Sequence, residues 1–176
     1  MIDVNIKKEL SSKKCLVLLF PKNSYSKVIV DVAKQLSGRN VCYVTLNKTF
    51  YYIDGLLKKN KILVDNFVYI DATSKPIKNM PDQTNRCYFI SSPGALTELS
   101  LKIKRFLRHN FEYIIFDSLT TLRIYNDKKV IKSFISSIVN KIQKSNTKAV
   151  FYSVNAEDNN LIKESNLLTD NIIEVK

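Results

Sequence analysis

The sequence predicts an α/β fold, a three-layer α/β/α sandwich with a mainly parallel sheet. Short apolar runs alternate along the chain with segments whose apolar residues recur at helical spacing, which is the pattern of βα units. The runs are continuous rather than alternating, as in strands covered by helices on both faces. With 176 residues the chain can build one hydrophobic core. We therefore expect a single domain over 1–176.

The chain opens with strand and helix signals in alternation. The run CLVLLF at 15–20 has strand length, and apolar residues return every fourth position in a predicted helix at about 24–36. Gly38 follows at a position where a glycine can end that helix. The run VCYVTL at 41–46 is predicted as the second strand, and 49–60 as a short helix.

Two further strands are separated by a long connection. FVYID at 67–71 is predicted as the third strand, ending in a carboxylate, and CYFIS at 87–91 as the fourth. The polar segment 72–86 contains two prolines and is predicted as a surface loop. After a Pro-Gly turn, 95–109 is predicted as a helix with one apolar face.

The remaining elements complete the predicted sheet. YIIFD at 113–117 is the clearest buried strand, and a loop is expected after it. A helix at about 127–145 then has one apolar stripe. AVFYSV at 149–154 and NIIEV at 171–175 are the last strands, with a weak helical pattern at 159–168 between them.

Charge and cysteine content limit the setting in which the protein works. Its 28 basic and 16 acidic residues give a formal net charge of +12, which attracts nucleic acid, anionic lipid or acidic proteins. The three cysteines include no CxxC pair and indicate a reducing compartment. There is no N-terminal signal core and no apolar run of about 20 residues. We expect a cytoplasmic protein that does not insert into a membrane.

The basic residues allow two interpretations, a solvated basic surface or a face that binds nucleic acid. They are scattered over most of the chain. The helix at 95–109 carries a basic cluster on its polar side. The residues of this cluster are Lys102, Lys104, Arg105 and Arg108.

Two positions have the layout of a phosphate-binding site. Lys27 follows the first strand, where a phosphate-binding loop keeps its lysine, and Ser24 and Ser26 precede it. Asp117 ends a buried strand, at the sheet edge where open α/β folds bind ligands. A carboxylate there either holds Mg²⁺ beside a phosphate chain or caps the next turn by accepting backbone N–H bonds.

Three segments resemble a RecA-like ATPase domain of the KaiC-like group, which occurs in archaeal and bacterial signalling and clock proteins. They are LVLLFPKNSYSKVIVDVAKQL (16–36), NVCYVTLNKTFYYI (40–53) and YIIFDSLTTLRIY (113–125). LLTDNIIEV (167–175) is similar to the closing strand of that group. The resemblance covers nearly the whole chain. It implies a RecA-like P-loop NTPase fold and an ATP–Mg²⁺ site, and RecA-like domains typically assemble side by side.

The phosphate loop departs from the pattern of that group. A loop of the form GxxxxGK[ST] uses glycines to curl backbone N–H groups around phosphate, whereas this chain has Pro21, Ser26, Lys27 and Val28 at the defining positions. Proline has no N–H, the serine Cβ disfavours a left-handed backbone, and valine cannot ligate Mg²⁺. Lys27 remains, either as a phosphate contact or as a solvated lysine. The loop is either open to a phosphate or closed by Pro21 and Tyr25.

The catalytic carboxylate is also replaced. The resemblance places a water-activating glutamate just after the second strand, where this chain has Asn47 and Lys48, and neither is a general base at neutral pH. We therefore expect no catalytic residue and no bound ATP or Mg²⁺. The predicted function is that of a degenerate, non-catalytic RecA/KaiC-like domain, a pseudoenzyme that acts in signalling as a regulatory or protein-interaction module.

Two other functions stay open. An ATP-binding protein or weak ATPase would use the divergent loop through Lys27, Ser26 and Ser24, with Asp117 as the Mg²⁺ ligand. A nucleic-acid-binding protein would use the basic surface of the helix at 95–109. A protein partner or self-association is expected under the first function, and nucleic acid under the last.

Overall fold

The computed structural model describes residues 2–154 and 169–175, and its strands form one seven-stranded sheet. The strands are β1 (Cys15–Phe20), β2 (Val41–Thr45), β3 (Phe67–Asp71), β4 (Cys87–Phe89), β5 (Tyr113–Asp117), β6 (Lys148–Val154) and β7 (Asn171–Glu174). Their order is β4-β3-β2-β5-β6-β1-β7, and every pairing between neighbours is parallel.

Helices cover both faces of the sheet. They are α1 (Ile6–Ser12), α2 (Tyr25–Leu36), α3 (Phe50–Lys59), α4 (Leu96–Leu107), α5 (Leu119–Tyr125) and α6 (Lys128–Gln143). A 3₁₀ turn (Lys22–Ser24) leads into α2. The apolar sides of α1, α2 and α3 share one core cluster with the sheet, and those of α4, α5 and α6 share the other. The predicted α/β/α sandwich is confirmed.

The parallel arrangement brings the ends of distant strands to one edge. All six residues of β1 are buried, because helices lie on both sides of a parallel sheet. Phe20 pairs in register with Val154, and Thr45 with Asp117. The loops that follow β1, β2, β5 and β6 therefore meet at the carboxyl edge of the sheet.

The predicted helix after the first strand is confirmed. The buried residues of α2 form one stripe: Tyr25, Val28, Ile29, Val32, Ala33 and Leu36. Gly38 has a φ of 80° just after this helix, a conformation that glycine adopts without the steric cost borne by other residues. The predicted loop at 72–86 contains no helix or strand.

Two helices differ from the prediction. The loop expected after β5 is the seven-residue helix α5, which Ser118 caps by accepting a hydrogen bond from the Thr121 N–H. Helix α1 was not predicted; it packs on the core through Ile6 and Leu10, and the Ile6 N–H donates to the Gln35 side chain at 2.7 Å. Helices this short depend on such tertiary contacts rather than on sequence period. The helical pattern at 159–168 lies outside the described residues.

Two observations concern the expectation of a cytoplasmic protein that does not insert into a membrane. All three cysteines are buried and unpaired. Among the helices that the structure describes, none has the length and apolar character needed to cross a membrane.

Candidate functional site

Asp117 lies at the carboxyl edge of the sheet, at the end of β5, and is completely buried. Its Oδ2 accepts hydrogen bonds from the hydroxyl groups of Tyr25, at 2.5 Å, and Tyr43, at 2.9 Å. Tyr25 is the first residue of α2, and Tyr43 lies two residues before the end of β2. Two separate elements therefore close over one carboxylate oxygen.

Burial determines the protonation of this cluster. Desolvation raises the pKa of Asp117 to about 6, although the hydrogen bonds from Tyr25 and Tyr43 act in the opposite direction. Burial also raises the pKa of both tyrosines, so their hydroxyl groups stay protonated and act as donors. Asp117 Oδ1 is buried and has no hydrogen-bond partner among the described residues.

Asp117 does not have the capping role considered from the sequence. Ser118, not Asp117, caps the following helix. Asp71, the other carboxylate that ends a strand, does bind backbone N–H groups: its Oδ2 accepts from the Phe50 N–H at 2.7 Å and its Oδ1 from the Thr73 N–H at 2.6 Å. Asp71 is thus an ordinary structural cap, whereas Asp117 is bound by side-chain hydroxyls alone.

The surroundings of Asp117 do not fit a Mg²⁺ ion. One carboxylate oxygen is used by two hydroxyl donors, and Val28 is buried at the position where a P-loop supplies a ligating hydroxyl. In the described part of the chain, no group of three His, Cys, Asp or Glu side chains is arranged to hold a metal ion. We derive no metal-dependent step at this site.

The predicted phosphate-loop residues are not brought together around a ligand. Pro21 precedes the 3₁₀ turn, whose last residue is Ser24, and the Ser24 side chain makes no capping hydrogen bond to α2. Lys27 is exposed on the first turn of α2, while Tyr25 points inward to Asp117. The side chain that enters the site is therefore the tyrosine.

An open cleft of about 410 Å³ lies beside the Tyr25–Asp117 pair. Its lining includes Lys22, Ser26, Asn47, Lys48, Tyr52 and Ile124. The Lys48 ammonium lies 5.4 Å from the centre of the Tyr52 ring. Of the four predicted nucleotide-binding residues, Ser26 alone belongs to the described lining. The cleft offers the ammonium groups of Lys22 and Lys48 and the rings of Tyr25 and Tyr52 to a ligand.

The predicted basic surface lies away from this cleft. Lys102, Lys104 and Arg105 belong to α4, and Arg108 caps its C-terminal end. Lys102 and Arg105 lie over the Tyr88 ring, with their charged groups 5.1 Å and 5.8 Å from its centre. Lys104 and Arg108 are exposed.

The position of Tyr43 in the sequence indicates that its hydroxyl group needs a buried partner. Tyr43 occupies the centre of a fully buried strand, and a buried tyrosine hydroxyl normally requires a hydrogen-bond partner. Asp117, at the end of another buried strand, required a donor for the same reason. Tyr25 carries no such signal, because its helix exposes some positions and buries others.

Comparisons with known proteins give a structural likeness only. The sequence matches no model of a known protein family and no curated protein. Among solved structures, the chain is similar to a KaiC-like protein from the hyperthermophilic archaeon Pyrococcus horikoshii, with a TM-score of 0.56 and 10% sequence identity. The match covers 81% of this chain and 61% of the other, so this chain spans about three fifths of that protein. The RecA-like fold and the resemblance to KaiC-like proteins are confirmed at the level of fold.

Proposed function

We propose that this chain is a non-catalytic RecA-like domain that acts as a regulatory or protein-interaction module in signalling. The observation that carries the proposal is the burial of Asp117 under the Tyr25 and Tyr43 hydroxyl groups. Tyr25 and Tyr43 occupy Oδ2, and complete burial keeps the unpartnered Oδ1 away from a magnesium–phosphate complex in solvent. The strand, loop and helix of the former phosphate-binding region are kept, because the sheet and its two cores are built from them.

The residues after β2 support the same proposal. Asn47 and Lys48 line the cleft where a hydrolytic enzyme of this fold would need a base. An amide and an ammonium group do not accept a proton from water at neutral pH. Hydrolysis therefore lacks a general base, as well as the glycines and the magnesium-ligating hydroxyl of a phosphate loop. The three buried, unpaired cysteines support a cytoplasmic location.

An exposed apolar corner supports the interaction role. Ile124 and Tyr125 at the end of α5 are 76% and 52% exposed, and Val130 on the first turn of α6 is 48% exposed. Together they border an open depression of about 390 Å³, whose other lining residues are the polar Arg123, Asn126 and Asp127. Grouped exposed apolar side chains mark protein-interaction surfaces. The partner we propose is a second copy of this chain, since RecA-like domains assemble side by side.

Sedimentation velocity over a range of concentrations tests the interaction. We expect the parent protein to self-associate and Ile124→Lys to weaken that association. Ile77→Lys is the matched control, because Ile77 is 74% exposed and lies in the loop between β3 and β4. A monomeric parent at every concentration, or equal effects of the two substitutions, would contradict the proposal.

The cleft favours one alternative function, binding of an anionic, nucleotide-sized ligand without hydrolysis. Its 410 Å³ lies within the range of small-molecule sites. Lys22 and Lys48 would contact the anion and Tyr52 a planar ring. Binding of ADP that is unchanged when Mg²⁺ is removed would favour this alternative over the interaction module.

A further inference from the structure

We propose that the solvent-facing side of α6 is a binding surface for the backbone of double-stranded nucleic acid. This surface is defined by eight residues at consecutive helical spacings: Lys129, Lys132, Ser133, Ser136, Ser137, Asn140, Lys141 and Lys144. They line a shallow depression of about 820 Å³. The inference does not depend on the proposed interaction module or on the cleft.

The charge of this surface is unbalanced. Helices α4 and α6 contain seven lysine and arginine residues and a single acidic residue, Glu98, and Glu98 accepts hydrogen bonds from Ser91. Lys129, Lys132 and Lys144 form no ion pair with any residue that the structure describes. On the opposite face of the sheet, Asp54 on α3 pairs with Lys58 at 2.7 Å. Helices α1, α2 and α3 contain six lysines against the three acidic residues Glu9, Asp31 and Asp54. The larger basic excess therefore lies on the α4–α6 side.

The side chains of the α6 surface are arranged in a row that fits the phosphates along the backbone of a nucleic-acid duplex. One lysine pair, Lys129 and Lys132, lies near the start of α6, and the other, Lys141 and Lys144, lies at its end. A rise of about 1.5 Å per residue separates the two pairs by roughly 18 Å. The serine and asparagine side chains between them donate hydrogen bonds, as in many contacts to phosphate oxygens. The α6 surface thus combines charge with neutral donors.

The same surface argues for a duplex rather than a single strand. Binding of unpaired bases normally uses aromatic side chains on which the bases stack, and the eight residues of the α6 surface include none. The aromatic residue of α6, Phe134, is buried in the core. The α4 helix packs beside α6, and Lys141 Nζ lies 3.2 Å from Ser100 Oγ. Lys104 on α4, and Arg108 at its C-terminal cap, therefore extend the positive field next to the surface.

Fluorescence anisotropy with a labelled DNA duplex of two helical turns tests the proposal. Four lysine contacts predict that log K falls with log salt with a slope of about −4 between about 50 mM and 200 mM NaCl. The α6 variant replaces Lys129, Lys132, Lys141 and Lys144 with glutamine. We expect it to bind the duplex more than tenfold more weakly at the lowest salt concentration. The slope of log K against log salt should become smaller in magnitude by about 3 to 4.

A matched control separates the α6 surface from overall charge. Lys7→Gln, Lys8→Gln, Lys34→Gln and Lys59→Gln remove the same four charges from exposed positions on the α1–α3 side. We expect this variant to retain most of the affinity and slope, with both variants shown to be folded by circular dichroism. Equal losses in the two variants, a binding constant that ignores salt, or tighter binding of a single strand would overturn the proposal. Stronger binding to phosphatidylserine vesicles than to the duplex would also overturn it.

Discussion

Asp117 is a buried carboxylate whose Oδ2 receives hydrogen bonds from two tyrosine hydroxyl groups. Hydrogen bonds to a charged group stabilise more than those between neutral groups, yet burial dominates here, since the net effect raises the pKa of Asp117 to about 6. At neutral pH the site therefore holds an ionised group at a cost to folding. The cluster of Asp117, Tyr25 and Tyr43 is the distinctive chemical feature of the chain, because it holds a destabilising buried charge inside the core.

The stability of the protein should depend on pH through this residue. Its pKa in the folded state lies above the unfolded value of 3.8, so the stability that it contributes is full at low pH and is lost as pH rises through about 6. We expect the parent to lose on the order of 3 kcal/mol relative to Asp117→Asn between about pH 4 and pH 7.5. Urea unfolding of both proteins across this range measures the difference. Parallel pH profiles would show that Asp117 does not titrate in this window.

At the level of single elements, the sequence pattern is reliable where burial is periodic. Helices α2, α4 and α6 each have a continuous apolar stripe, and their predicted positions agree with the structure. Helix α5 has no comparable stripe, and the Thr120 hydroxyl fixes it to β6 by accepting from the Val154 N–H at 2.9 Å. Contacts of this kind depend on chain packing, so a local pattern does not reveal them.

Two glycines provide a matched test of helix geometry. An added Cβ would meet nothing within 4 Å at either Gly38 or Gly55, but Gly38 has a φ of 80° after α2 and Gly55 lies inside α3. We expect Gly38→Ala to destabilise the protein by about 1 kcal/mol. Gly55→Ala should stabilise it by about 0.5–1 kcal/mol. Urea unfolding measures both, and effects of the same sign would contradict the assigned backbone conformations.

At the level of the whole molecule, the alternation of strands and helices is evident in the sequence, but the site depends on long-range packing. The βα pattern predicts a parallel sheet and places Asp117 at its carboxyl edge. The hydrogen bond from Tyr25 joins residues 92 positions apart, and a local pattern cannot show which side chain of α2 reaches Asp117. The fold could therefore be predicted from the sequence. Closure of the loop by Tyr25 was one of two alternatives there, but the hydrogen bond from Tyr25 to Asp117 could not be predicted.

The distribution of charge over the surface of the molecule also depends on long-range packing. The net charge of +12 is a property of the sequence, but the sequence alone does not show on which side of the sheet each helix lies. The topology places α4 and α6 in one layer. This combines basic residues from two distant segments into a single face, which is the basis for proposing a nucleic-acid backbone as a ligand.

Isothermal titration calorimetry with Mg-ATP and Mg-ADP at millimolar concentration tests most directly whether the tyrosine–carboxylate cluster has replaced the nucleotide site. Because Tyr25 and Tyr43 occupy Asp117 Oδ2, we predict no Mg²⁺-dependent heat of binding for the parent protein. The Asp117→Asn variant should give the same result. Stoichiometric binding that requires Mg²⁺ in the parent and is lost in Asp117→Asn would contradict the proposal that this domain with a RecA-like fold has no magnesium–nucleotide chemistry.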